Sequence, residues 1–127
     1  IMSNKNKVIG FINSWNNRDI EGIVEALSPD CFYHNIPMDP IKGREDIRVY
    51  LEPFVQMTTN IEWIIHQIAE NDEGVVLTER TDRFEINGQW MDILVMGVME
   101  FEDGLISNWR DYFDMKAYES ETARVLG

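Results

Sequence analysis

Three charged side chains, Arg80 and Asp82 in LTERTDRFEI and Asp111 in ISNWRDYFD, are the residues of this chain best placed to do chemistry. Read as strands, with side chains alternating between faces, Arg80 and Asp82 fall beside Val76, Phe84 and Ile86, while Glu79, Thr81, Arg83 and Glu85 point the other way. The same alternation puts Asp111 with Leu105, Trp109 and Phe113 and turns Asn108, Arg110 and Asp114 outward. Two carboxylates and a guanidinium thus share apolar faces. An isolated buried carboxylate must be paired, protonated or wet. An arginine between two aspartates satisfies both at once. The bland alternative is a buried ion network that serves only folding specificity. Perturbed charges cluster at functional sites, which favours the chemical reading.

A third strand, Cys31 to Pro37, adds Tyr33 and Asn35 on one face, with Phe32, His34 and Ile36 on the other. An amide, a phenol and a carboxylate can fix one water, and the carboxylate can take its proton as it attacks. Asp111 reads as that base. Asp82 serves as the acid if it stays protonated, with Arg80 between them holding the geometry and biasing the proton. The residues by themselves do not choose acid from base and do not name the electrophile.

The elements that must position these groups are legible in outline. Val8, Phe11, Ile12 and Trp15 recur at helical spacing after a Ser3 cap, and Asp19 caps a second helix carrying Ile20, Ile23, Val24 and Leu27. Ser28-Pro29-Asp30 ends that helix. A third helix follows Gly43, with Ile47, Tyr50, Leu51 and Phe54 on one stripe and Pro53 near its end. Strands over 61–70, 75–86, 89–102 and 105–114 are separated by Asn71-Asp72-Glu73-Gly74, Asn87-Gly88 and Asp103-Gly104, which are turn signals for antiparallel neighbours. Ile93 to Val98 is apolar on both faces, as in a central strand covered on both sides. Residues 116–126 form a weaker terminal helix or a tail. Helices first and a meander afterwards predict one α+β domain over 1–127, with a curved sheet closing over the helices as a cone. Trp90, Met91, Met96 and Met99 read as an outer face that a second copy would cover, which predicts a homodimer; ordinary core methionine is the alternative.

Composition narrows the partners. The chain has 127 residues, 44% of them hydrophobic, and 23 acidic against 11 basic side chains give a net charge of −12. That charge repels phosphate backbones and anionic lipid, so neither nucleic acid nor membrane is expected as a partner. A lone Cys31, no long apolar run and no signal-like start point to the cytoplasm. No phosphate-cradling glycine loop is visible, and His34 and His66 lack ligand spacing with the cysteine, so no cofactor and no metal are expected. Cys31 reads as a buried, inert thiol and His66 as a structural histidine.

Tyr33-x-Asn35, Glu79-Arg80-x-Asp82 and Trp109-Arg110-Asp111-Tyr112-Phe113-Asp114, in this order and with glycine-centred turns between them, resemble limonene-1,2-epoxide hydrolase and its relatives. These belong to the SnoaL-like branch of the NTF2-like (cystatin-like) fold. The resemblance covers most of the chain and implies N-terminal helices packed in the concave face of a curved, mixed, mostly antiparallel sheet. It implies a cofactor-free homodimer that hydrates a small apolar, cyclic or terpene-like epoxide to a vicinal diol in one step. Asp111, Asn35 and Tyr33 would hold the water, with Asp111 as base; Asp82 would protonate the epoxide oxygen and Arg80 would bridge the aspartates. Trp109, Phe113, Leu94 and Met96 would line the substrate pocket, with Asp92 as an extra acid near its mouth. The alternatives are an isomerase or cyclase, which abstracts a proton beside a carbonyl, and a non-catalytic binding module.

Overall fold

In the computed structural model, which describes residues 2–127, ten elements follow one another: α1 (Asn4–Asn16), α2 (Ile20–Glu25), β1 (Leu27–Asn35), β2 (Ile41–Lys42), α3 (Arg44–Met57), β3 (Asn60–Glu70), β4 (Val76–Ile86), β5 (Gln89–Glu102), β6 (Leu105–Tyr112) and α4 (Met115–Leu126). The strands form one curved sheet in the order β2-β1-β6-β5-β4-β3. Strands β3 to β6 are an antiparallel meander, and β1 joins it parallel to β6, so the sheet is mixed but mostly antiparallel.

Local chemistry explains the boundaries. Ser3 accepts from Asn6 N at the start of α1, and Asp19 accepts from Gly22 N at the start of α2. The turns joining β4 to β5 and β5 to β6 place Asn87 and Gly88, and then Asp103 and Gly104, at positive φ, the two-residue geometry whose twist suits a hairpin. The second helix is shorter than its apolar spacing predicts. It ends at Glu25, Leu27 opens β1 opposite Ile106, and the Leu27 carbonyl accepts from Arg44 Nε and Nη2. Pro29 restricts the residue before it to extended backbone, so residues 28–30, which the sequence marks as the helix end, already lie within the strand. The last element is a helix. Asp114 caps it, Val125 buries its side chain, and Arg124 donates to the Trp90 carbonyl.

One core fills the concave side of the sheet. Val8, Phe11, Ile12 and Trp15 of α1 and Ile47, Leu51 and Val55 of α3 meet inward-facing strand residues such as Ile86, Met91, Met99 and Ile106. The methionines correct the outer-face expectation. Met91 and Met99 are fully buried among the core residues, whereas Leu94 is 75% exposed and Met96 51% exposed on the opposite face. The strand period of two separates odd from even positions of β5, so the four residues never shared a face. Ile93–Val98 is central, as expected, but on its outer side Leu94 and Met96 are exposed rather than covered. Among the described residues no helix is long and apolar enough to cross a membrane.

Candidate active site

Strand β4 carries the site on its inward face. Val76, Thr78, Arg80, Asp82, Phe84 and Ile86 are all buried, in strict alternation. Arg80 donates from Nε and Nη2 to the two carboxylate oxygens of Asp82, both at 2.9 Å, and its Nη2 also reaches Asp111 Oδ2 at 3.1 Å. Nη1 donates to Thr78 Oγ1 at 3.0 Å, and the guanidinium lies 4.7 Å over the ring of Trp63. Asp111 belongs to β6, two strands from β4, a gap of roughly 10 Å at the usual strand spacing. The long arginine side chain spans it because the intervening residue is glycine. Gly97 of β5 lies directly opposite both Thr78 and Asp111. A Cβ there would collide with Arg80 Nη1, and would sit 2.7 Å from Asp111 Oδ1 and 2.9 Å from Thr78 Oγ1.

The row continues onto β1. Asn35 is the register partner of Asp111, and Tyr33 of Trp109, a pairing fixed in part by the 2.9 Å bond from Ile36 N to the Asp111 carbonyl. Asn35 Nδ2 donates to the Tyr33 hydroxyl at 2.9 Å, which leaves the amide oxygen available. Asp111 Oδ2 accepts from both Arg80 and the Trp109 indole, while Oδ1 is buried without a protein donor among the described residues. A buried acceptor of this kind calls for an explanation, and a water bound in a catalytic site is one.

Electrostatics separates the two aspartates. Burial, reinforced by the Asp111 charge and opposed by Arg80, pushes the Asp82 carboxyl up to about 6. One guanidinium carries a single positive charge against two buried carboxylates, which favours the protonated form of Asp82. Burial lowers the tendency of Arg80 to stay charged, but Asp111 and Asp82 outweigh it and hold the group above its ordinary value. Burial, with Asp111 adding to it, raises the Tyr33 phenol well above its usual range, so it remains a hydrogen-bond donor.

These groups open onto a cavity of about 200 Å³. Tyr33, Asn35, Asp82 and Asp111 are its polar end; Leu51, Phe54, Phe84, Ile93, Val95 and Phe113 supply apolar wall. Phe113 lies where the sequence places it. Leu94 and Met96 do not: they face the outside, and their neighbours Ile93 and Val95 take the inward positions of β5. Trp109 is fully buried behind Tyr33, stacked on it at 4.0 Å, and does not reach the cavity. Asp92 is not near the mouth either; it lies on the outer face, paired at 2.9 Å with Arg83. Glu79 and Arg110 point away from the site, as their strand phase predicts; Arg110 pairs with Glu100 at 2.5 Å. Cys31 is buried and its thiol is pushed up to about 12 by that burial, and the rings of His34 and His66 pair with the Met38 carbonyl and Thr81 Oγ1.

Thr78, Gly97 and Trp63 are the participants that sequence reasoning missed. Each had a signal: Thr78 lies two residues before Arg80 on the same face, and a glycine inside an otherwise apolar strand marks close approach. Trp15, which shares the cavity wall, was legible only as core.

Residues 2–124 match the limonene-1,2-epoxide hydrolase catalytic domain family. The chain belongs to that family. Epoxide hydrolysis is the activity that this membership assigns to it. It is 37% identical over 108 residues to epoxide hydrolase EphG of Mycobacterium tuberculosis (strain ATCC 25618 / H37Rv), covering 85% of this chain and 71% of that protein. Among solved structures, it superposes on an M. tuberculosis LEH-like epoxide hydrolase with a TM-score of 0.83 and 33% identity, covering 97% and 91% of the two chains. A SnoaL-like polyketide cyclase from Shewanella putrefaciens CN-32, at 12% identity and a TM-score of 0.81 over 98% of each chain, shares the fold alone. The chain thus has the NTF2-like, SnoaL-like architecture that the motifs implied.

Two outcomes test the site as built. Gly97→Ala should strongly reduce activity, since either Arg80 or Asp111 must move; near-normal turnover in this variant would mean the close approach is not needed. Asp82 carries a raised pKa in the folded protein, so its contribution to stability is fully present below about pH 4 and is lost as pH rises through about 6. Melting temperatures across that window should therefore fall more steeply for the wild type than for Asp82→Asn, and parallel curves would contradict the assignment.

Proposed function

We propose that this protein hydrates a small apolar epoxide to a vicinal diol in one step, without cofactor or metal. The observation that carries the reading is the bridged pair: Arg80 held on Asp82 by two bonds and on Asp111 by one, with Asp111 Oδ1 left without a donor. In this reading a water donates to Asp111 and to the Asn35 amide oxygen and accepts from the Tyr33 hydroxyl, which aims its lone pair at a ring carbon. Asp111 takes a proton as the new carbon–oxygen bond forms. Asp82, protonated, gives its proton to the ring oxygen as the old bond breaks. The sum is epoxide plus water to diol, and the proton on Asp111 must return to Asp82 before the next turnover. Arg80 keeps the two carboxylates in register and stabilises whichever is charged.

Both proton transfers are required because the epoxide oxygen is a poor leaving group and neutral water a poor nucleophile. Each positioned transfer is worth roughly a hundred- to ten-thousand-fold. The apolar wall and modest volume of the cavity support a compact hydrocarbon substrate, of the cyclic or terpene-like kind. Isomerase or cyclase chemistry fits less well, since an enolate calls for a neutral donor, and here a guanidinium is spent between two carboxylates.

The outer face of the sheet supports a homodimer. Ile64, Leu77, Leu94, Met96 and Tyr112 are exposed together, with Met96 flanked by Glu79 and Tyr112 on the neighbouring strands. A second copy of the same face would cover them.

Asp82→Asn and Asp111→Asn should each abolish diol formation while the fold survives, a loss of roughly a hundred-fold or more. A single turnover in heavy-oxygen water should place one labelled oxygen in the diol; unlabelled diol with label in the enzyme would replace direct hydration by a covalent intermediate. Sedimentation over a range of concentrations should give a dimer that Met96→Glu dissociates, and a monomer throughout would refute the assembly.

A further inference from the structure

We infer that Trp109 is a positioning residue for the reaction: its indole N–H fixes the carboxylate of Asp111, and its ring fixes the phenol of Tyr33, so that two of the three water-holding groups are set by one buried side chain. The inference rests on the hydration reading above and adds a residue that touches neither water nor substrate.

The geometry singles out this indole. Trp109 Nε1 donates to Asp111 Oδ2 at 3.1 Å, the same oxygen that Arg80 Nη2 reaches at 3.1 Å. Two donors on one oxygen direct the other oxygen, Oδ1, away from both. Arg80 divides its donors: Nε and Nη2 both serve Asp82 at 2.9 Å and Nη1 serves Thr78, so Asp111 receives only a second contact from Nη2 at 3.1 Å. Trp109 is the donor dedicated to the base. The ring also lies face to face with Tyr33, 4.0 Å between centroids and 24° between planes, directly across the β1–β6 pairing. Edge contacts from Phe11 at 5.1 Å and Trp15 at 6.2 Å hold it from behind. The residue is fully buried and does not reach the cavity, so contact with substrate is not its role.

The competing explanation is that a buried indole N–H simply needs an acceptor. The direction of the bond argues for more than that. Trp15 and Trp63, whose Nε1 atoms have no protein partner among the described residues, both line the cavity, whereas Trp109 does not, and its N–H ends on Asp111. The bond from Trp109 is directed at a carboxylate that the reaction uses.

Trp109→Phe keeps an aromatic ring against Tyr33 and removes the donor. With a small cyclic epoxide as probe, kcat should fall roughly ten- to a hundred-fold, the loss expected of slight misplacement, with KM nearly unchanged. A residue that only shaped the pocket would move KM instead, and unchanged kcat in a folded Trp109→Phe protein would overturn the inference. If that variant fails to fold, nitrogen-15 labelling of the tryptophans decides the point without it. The Trp109 indole N–H resonance should move clearly between the wild type and Asp111→Asn, whereas an indole signal indifferent to that substitution would overturn the proposed bond. A wild type that makes no diol from any epoxide would sink the hydration reading, and the indole signal would still report on the positioning contact.

Discussion

The site depends on one constraint, which is that a single guanidinium, buried to the same degree as the hydrophobic core, must satisfy two carboxylates. Arg80 cannot be neutral at any ordinary pH, and Asp82 and Asp111 cannot both be charged around it without leaving the interior with net negative charge. The cluster is therefore a three-body arrangement in which burial favours a proton on Asp82. The hydration proposed above would use the same asymmetry, one carboxyl that holds a proton and one that can accept one.

The rest of the fold can be read as what this cluster demands. A glycine on β5 clears the path by which Arg80 crosses a whole strand to reach Asp111, and Thr78 takes the donor that would otherwise point at nothing. Trp63 offers its ring to the guanidinium, and Trp109 its N–H to the carboxylate. The parallel pairing of β1 with β6 brings Tyr33 and Asn35 beside Asp111, although 76 residues separate Asn35 from it in sequence. Helices α1 and α3 then close the apolar side, so the charges stay in a medium where hydrogen bonds count for more than in water.

Much of this was legible before any coordinates. Strict alternation in LTERTDRFEI revealed Arg80 and Asp82 as inward-facing, because a strand offers only two faces and the apolar residues mark one of them. The hairpin turns were marked by Asn87-Gly88 and Asp103-Gly104. Where the sequence misled, a local pattern had two physical solutions. Leu27 fits the helical stripe of α2 but belongs to β1, since strand pairing with β6 outweighs one more helical turn. Leu94 and Met96 looked equivalent to Ile93 and Val95, because a strand apolar on both faces gives no phase signal of its own.

The sequence by itself determined which residue types are available, how each strand is phased where polar and apolar residues alternate, and where the chain turns; these are local properties of backbone sterics and side-chain spacing. Tertiary structure decided the phase of β5, the retreat of Trp109 from the cavity wall to a place behind it, the path of Arg80 over Gly97 and the orphaned oxygen of Asp111. Each of these depends on which strand lies beside which and in what register. That information belongs to pairs of segments far apart in the chain, and no single segment carries it.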